Sequence, residues 1–200
     1  MDYLVTMTTH VPDGTAPDAV DGVRAREAAR SRELAAQRRL LRLWRPPLRP
    51  GEWRTLGLFA AEDAGALENV LASMPLRVWR TDEVMPLAPH PNDPPARLRA
   101  ASVAGPEFFT WFTQEVPDGL PGQEVRDAIA GEARRAGELA GRGHLERLWR
   151  LPDGRVLGLW RAADAAGLRQ ILDALPLQRR LSTVVTPLSP HPSDPGLSRQ

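Results

Sequence analysis

Two carboxylates in this chain stand midway along apolar stripes at helical spacing. The two sets, each with steps of seven residues, are Val20, Glu27 and Leu34, and Val125, Glu132 and Leu139. Seven residues complete nearly two turns of an α-helix, so the members of each set share one helix face. A carboxyl group in such a stripe is a candidate general base, because apolar surroundings raise its pKa.

A structural ion pair is the alternative interpretation of the first of these glutamates. Arg24 and Arg30 flank Glu27 at three residues on either side, a spacing that allows ion pairing on a helix. Structural ion pairs are commoner than catalytic acids, so the residues alone favour this alternative. Glu33 and Glu138 also recur, but they fall on a different face and are expected to lie in solvent.

The composition excludes several other kinds of site. All 26 basic residues are arginines, so neither a lysine Schiff base nor a phosphate-binding loop lysine is available. The chain has no cysteine, which excludes disulfides and thiolate nucleophiles. The four histidines lack metal-ligand spacing, so no metal is expected. A formal net charge of +1 argues against partnership with nucleic acid or an anionic membrane.

The N-terminus and the hydropathy pattern favour a cytoplasmic protein. The opening segment, residues 1–6, carries an acid at its second position and no long apolar stretch, unlike a signal peptide. No apolar run approaches the length of a membrane span.

The glutamate stripes belong to a longer internal repeat. Residues 86–94 read PLAPHPNDP and residues 187–195 read PLSPHPSDP, and 18 of the 39 positions in residues 56–94 are identical 101 residues later. Upstream the offset is 105, which matches residues 11–14 with 116–119. The difference marks a four-residue insertion in the first copy. We predict one repeat at 1–92, a linker at 93–106 and a second repeat at 107–200.

Each repeat has the pattern of an α+β unit. In the first, the predicted strands are 3–9, 40–45, 54–60 and 81–87, and the predicted helices are about 18–38 and 64–73. We expect Asp18 or a neighbour to cap the first helix and Asp63 to cap the second. The order β-α-β-β-α-β is the ferredoxin-like motif, an antiparallel sheet with two helices on one face.

The other face of each sheet needs a cover if it is apolar. We therefore predict that the two units form an intrachain dimeric α/β-barrel, with any functional pocket between the sheets. Trp44 and Arg45 are adjacent on a strand and must face opposite ways. We favour Trp44 as core under the helices, although the pattern permits the reverse.

A series of segments in the first repeat resembles muconolactone isomerases. The segments, in chain order, are residues 4–8, 24–28, 33–34, 43–45, 71–76 and 86–91. The resemblance covers nearly all of residues 1–95 and, more loosely, 107–196. It implies a ferredoxin-like fold, assembly into a homo-oligomer and cofactor-independent movement of a carbon–carbon double bond in a small unsaturated lactone.

The resemblance also implies roles for individual residues. Glu27 and Glu132 would carry the proton. Gly131 stands beside Glu132 where the first repeat has Arg26, so the second copy of the site could be weakened or silent. Cationic groups would hold the substrate carboxylate and the dienolate oxygen. The candidates for these cations are Arg26, Arg45 and Arg150. His90 and His191 are further candidates for binding the substrate on a separate ground, because each lies between two prolines after the last strand of its repeat and is either a pocket residue or an exposed loop residue.

Two other functions remain open at this point. The hairpin after Arg45 departs from the family pattern, since it has a Pro-rich insertion with Trp53 and no tyrosine. The substrate could therefore be another lactone or an enone. A related cofactor-free cyclase, lyase or monooxygenase is one alternative, by analogy of fold. A non-catalytic ligand-binding scaffold is the other.

Overall fold

A computed structural model of the protein describes residues 1–95, 103–114 and 122–197. The repeated segment 116–119 and half of the predicted linker lie outside the described residues, as does the side chain of Val125. The described chain forms a mixed α+β fold in which eight strands pair antiparallel.

Both repeats have the predicted order of elements. The first contains β1 (Asp2–Thr9), α1 (Pro17–Ala36), β2 (Leu40–Arg45), β3 (Arg54–Ala60), α2 (Ala64–Ala72) and β4 (Arg80–Pro89). The second contains β5 (Glu107–Gln114), α3 (Gly122–Gly141), β6 (Leu145–Arg150), β7 (Val156–Arg161), α4 (Ala165–Asp173) and β8 (Leu181–Pro190). A 3₁₀ turn, Pro75–Trp79, leads into β4.

Local chemistry explains where the helices of the first repeat begin. The side chain of Asp63 accepts a hydrogen bond from the backbone N–H of Ala66 at 2.8 Å, which confirms the predicted cap of α2. In α1 the cap position is Ala16, which makes no side-chain bond, and Pro17 occupies the first turn. Proline suits this position because its missing N–H would have no helical partner there. Asp18 lies in the first turn rather than at the cap.

Two compact units are present, and each includes the end of the other repeat. Unit 1 comprises residues 1–87 and 189–200, and unit 2 comprises residues 88–188. We call residues 88–95 the first arm and residues 189–197 the second arm. The strand order is β4-β1-β3-β2 in unit 1 and β8-β5-β7-β6 in unit 2.

Each arm continues a strand from one repeat and pairs with a strand of the other. The paired residues are Arg45 with Ser189 and Trp44 with Pro190 in unit 1, and Arg150 with Ala88 and Trp149 with Pro89 in unit 2. The second arm is therefore part of the unit that contains Glu27.

The core of each unit lies between its helices and the helix-facing side of its sheet. In unit 1 it includes Tyr3, Val5, Met7, Leu34, Leu43, Phe59, Leu67 and Leu71. In unit 2 it includes Phe108, Phe112, Ala136, Leu139, Leu145, Trp160, Leu168 and Leu172.

Trp44 faces away from the helices of unit 1, so our preferred interpretation of this residue is wrong. Register places Leu43 beside Gly57, and Gly57 beside Val5, and both Leu43 and Val5 belong to the helix-facing core. Neighbours in a strand face opposite ways, so Trp44 points to the other side, where it is fully buried. Arg45 consequently shares the helix-facing side with Leu43.

Candidate functional site

Unit 1 contains a cavity of about 310 Å³ between α1 and the helix-facing side of its strands. Its polar lining consists of Thr9, Arg24, Glu27, Ser31, Arg45, Thr55, Arg80, His191 and Ser193. We expected a functional pocket between two sheets, and this expectation is wrong for the cavity that contains Glu27. The cavity lies on the helix-covered face of the sheet, and Glu27 projects into it from α1.

Glu27 is held by two donors from outside its own helix. Its Oε2 accepts a hydrogen bond from the backbone N–H of Leu76 at 2.8 Å, and its Oε1 accepts one from Nη1 of Arg80 at 3.2 Å. The side chain is 13% exposed. Glu27 is therefore ion-paired, but its partner is not either of the arginines that flank it in sequence. Arg24 lies near Asp21 and Arg30 pairs with Glu33.

Burial dominates the acidity of Glu27. Loss of solvent raises the pKa of this carboxyl group above its ordinary value, and the nearby charge of Asp82 acts in the same direction. The N–H of Leu76 and the charge of Arg80 oppose this and lower the pKa. A carboxylate with raised pKa and fixed orientation is suited to accept and return a proton.

Arg80 is the buried cation that sequence reasoning missed. Its side chain is 2% exposed, and its Nε donates to Oδ1 of Asp82 at 2.6 Å. Asp82 also accepts from Arg77, which binds Glu68 at 2.8 Å. This chain of charges fixes the guanidinium beside Glu27. Comparison of the two repeats could have pointed to Arg80. The second repeat has no charged residue at the places of Arg77, Arg80 and Asp82.

Two further arginines line the cavity. Arg45 is exposed, and among the described residues no carboxylate pairs with it. Arg24 lies over the ring of Trp53, with 4.7 Å between its guanidinium carbon and the ring centroid. Trp53 belongs to the insertion that distinguishes the first repeat. Together these groups make a cationic rim that could bind a carboxylate.

The second arm brings His191 into the same cavity. Its Nδ1 accepts a hydrogen bond from the backbone N–H of Ser193 at 3.1 Å. Burial lowers the pKa of His191 to about 4, with help from the charges of Arg45 and Arg24, and Asp194 acts in the opposite direction. The imidazole is therefore neutral near pH 7. Because Nδ1 is an acceptor, the ring proton lies on Nε2.

Asp194 attaches this arm to β2. Its carboxylate accepts from the backbone N–H of Leu43 at 2.9 Å and from Nη2 of Arg42 at 3.0 Å. Its side chain is 1% exposed. In unit 2, Asp93 of the first arm likewise accepts from Leu148 at 2.8 Å. In both arms the aspartate three residues after the histidine thus attaches the arm to a strand.

Unit 2 places the second set of predicted residues in a less polar setting. Glu132 accepts from the backbone N–H of Leu177 at 3.0 Å, and burial raises its pKa while this bond lowers it. Burial lowers the pKa of His90, as does the charge of Arg150, whereas Asp93 raises it. His90 and Arg150 therefore lie close enough to interact, as His191 and Arg45 do in unit 1.

Arg26 is not brought to the cavity. Its side chain is exposed on α1 and it is absent from the cavity lining. Arg80 occupies the position beside Glu27 instead. Glu33 and Glu138 are 60% and 54% exposed, which confirms the expectation that they lie in solvent.

Two absences concern the part of the chain that the structure describes, one of metal-binding clusters and one of membrane-spanning helices. No three histidine or acidic side chains there are grouped as a metal ion would require. None of the helices in that part combines the length and the apolar character of a membrane span.

Solved structures with the same fold cover almost the whole chain. A variant of chlorite dismutase from Candidatus Nitrospira defluvii has a TM-score of 0.60 at 12% identity, and the match covers 94% of this chain and 92% of that one. A heme-binding protein from Thermus thermophilus has a TM-score of 0.56 at 11% identity, covering 96% and 92%. At such identities the likeness shows a shared fold alone.

Sequence comparison matches each half of the chain to one family. Muconolactone delta-isomerase 1 from Acinetobacter lwoffii is 30% identical over 92 residues, which are 46% of this chain and 93% of that protein. Muconolactone delta-isomerase from Rhodococcus opacus is 30% identical over 91 residues, covering 46% and 95%. The family model of muconolactone delta-isomerase matches residues 1–93 and again residues 107–194. The chain therefore belongs to the muconolactone delta-isomerase family, as a tandem duplication of the family's unit.

Proposed function

We propose that this protein is a cofactor-independent isomerase that shifts a carbon–carbon double bond in a small unsaturated lactone bearing a carboxylate. The observation that carries the proposal is the Glu27 carboxylate, held by Leu76 and Arg80 in a cavity rimmed by arginines. Family membership supports the same reaction class.

Proton transfer by Glu27 accounts for the whole reaction. The carboxylate removes the acidic ring proton of the lactone, and the electron pair moves through the double bond onto the carbonyl oxygen to give a dienolate. The same carboxyl group then returns the proton to the carbon next to the carbonyl, and the double bond is left one position along. The reaction consumes no oxidant, reductant or water.

The cations around Glu27 fit the charges that arise during this reaction. Arg45, which has no acidic partner among the described residues, would bind the substrate carboxylate. The buried guanidinium of Arg80 stabilises the anionic form of Glu27 and adds positive potential where the dienolate forms. In a partly buried cavity these interactions are stronger than in water.

Glu27→Gln tests the proposal directly. Glutamine keeps an acceptor for the N–H of Leu76 but cannot carry the proton, so turnover of muconolactone should fall by about 10²–10⁴-fold. The movement of the double bond can be followed by proton NMR. Glu33→Gln is the matched control, since it removes an exposed carboxylate from the same helix and should leave turnover unchanged.

Failure can be recognised in two ways. If the wild-type protein does not isomerise muconolactone or a related lactone acid, the proposed reaction is wrong. If Glu27→Gln retains full activity, Glu27 is not the proton carrier.

The expected homo-oligomer and the cytoplasmic location stay predictions, which light scattering and cell fractionation can test.

A further inference from the structure

We propose that the chain has a single working site, in unit 1, and that the second repeat serves this site by supplying the neutral imidazole of His191 from its arm. This inference rests on the proposed function and specifies how the two repeats share it.

Four polar residues that line the cavity in unit 1 have apolar counterparts in unit 2. The replaced pairs, with the first-repeat residue given first, are Arg24 and Ile129, Ser31 and Ala136, Thr55 and Val156, and Arg80 and Leu181. The offsets that define these pairs also relate the helices, because α1 and α3 differ by 105 residues at both ends. A dienolate formed beside Glu132 would meet Leu181 where unit 1 offers the buried guanidinium of Arg80.

Several of these replacements are packed into the core of unit 2. Ala136 belongs to its buried hydrophobic cluster, and Val156 and Leu181 pack against that cluster. In unit 1 their places are taken by Ser31, Thr55 and Arg80, which line the cavity. Apolar side chains thus pack in unit 2 at three positions where unit 1 has polar groups beside the cavity.

The charge network that orients Arg80 is also replaced by neutral groups. Gln178 and Thr183 stand where the first repeat has Arg77 and Asp82, and Nε2 of Gln178 lies 3.4 Å from Oγ1 of Thr183. Glu132 keeps a backbone donor, Leu177. Among the described residues of unit 2, its carboxylate therefore has no counterpart of the buried cation that accompanies Glu27.

His191 has the features of a hydrogen-bond donor to a carbonyl or dienolate oxygen. Its Nδ1 is occupied by the N–H of Ser193, so its proton is on Nε2, and it lines the cavity together with Glu27. A neutral imidazole can donate to an oxyanion without giving up its proton. Asp194 fixes the arm to Leu43 and so limits the motion of the ring.

Matched variants and a binding stoichiometry test this division of roles in the full-length chain. The probe is the saturated analogue of muconolactone, a five-membered lactone acetate that has no double bond to move. Calorimetric titration should give one molecule bound per chain. His191→Gln should lower kcat on muconolactone about 10²-fold with little change in KM, as for loss of one oxyanion donor.

The equivalent substitutions in the other half are the controls. His90→Gln removes the same kind of ring, whose Nδ1 accepts from Asn92, and Glu132→Gln removes the second buried acid. Both should leave kcat and the stoichiometry within twofold of the wild type. Circular dichroism spectra of all four variants, including Glu27→Gln, show whether each is folded.

Each result bears on the proposal. Two probe molecules per chain, or an equal loss of kcat in the His90 and His191 variants, would overturn the single-site arrangement and leave the isomerase function standing. A wild-type chain that neither binds the probe nor isomerises the lactone would overturn both.

Discussion

Replacing Arg80 by leucine measures how much the buried charge network contributes to stability. The guanidinium is 2% exposed and binds Asp82 at 2.6 Å and Glu27 at 3.2 Å. Removing one partner of a buried ion pair costs about 3–5 kcal/mol. Because Arg77 still pairs with Asp82 in the variant, we expect the lower end, about 3 kcal/mol.

Urea unfolding followed by tryptophan fluorescence provides the assay. With a slope of about 2 kcal/mol per molar urea, the loss corresponds to a midpoint lowered by about 1.5 M.

The triple variant R77Q, R80L and D82T is the control, because it carries the second repeat's residues at all three places and leaves no carboxylate at position 82. Replacing both cations and the carboxylate between them by neutral groups is often nearly neutral, and the Glu27 that remains keeps the N–H of Leu76, as Glu132 keeps that of Leu177 in unit 2. Stability should therefore return to within about 1 kcal/mol of the wild type, whereas turnover should not. An unchanged midpoint for R80L, or a triple variant as unstable as R80L, would refute this account.

Two further predictions concern the second arm. Because the folded-state pKa of His191, about 4, lies below its ordinary value of 6.5, the folded state binds this proton less tightly, and stability falls as the pH drops from 6.5 toward 4. Allowing for the partial exposure of the ring, the free energy of unfolding falls by about 1–2 kcal/mol over this pH range. The variant His191→Gln should lack this pH dependence. Its urea midpoints at pH 7 and pH 4.5 should therefore differ less than those of the wild type. Asp194→Ala leaves the N–H of Leu43 and the guanidinium of Arg42 without this carboxylate, so we expect the free energy of unfolding to fall by about 3 kcal/mol and a non-specific endoprotease to cleave within the arm faster. An arm as resistant as that of the wild type would show that Asp194 does not hold it.

The elements and the repeat could be read from the sequence because they depend on local patterns. The order of strands and helices follows from alternation, helical spacing and the caps, as at Asp63. Glu27 was found in the same way, because steps of seven residues place it on the packing face of α1. Both features depend on residues close together in the chain.

Arg80 could not be found in this way, because its role depends on contacts between distant residues. It lies 53 residues from Glu27, and nothing near it in sequence marks it as a buried cation. The available signal was the contrast between the repeats at Arg80 and Leu181. Such a contrast identifies a position that has changed its role, but it does not name the partner.

The direction in which Trp44 faces was also beyond local pattern. Alternation requires Trp44 and Arg45 to lie on opposite sides of β2, but it does not say which side faces the helices. The register with Gly57 decides this. The same register places Arg45 on the helix-covered side, where the cavity lies, whereas we expected any pocket between the sheets because the uncovered sheet faces need a partner.

The exchange of arms within one chain has a consequence for how the halves can change. In an assembly of two identical subunits, every mutation is present in both, so neither copy of a site can be altered alone. Here one gene encodes both repeats as different stretches of a single chain, so a mutation changes one repeat and leaves the other as it was. Fusion thus releases the protein from a symmetry constraint: one half can lose its charges and gain packing during evolution while its C-terminal residues go on completing the other.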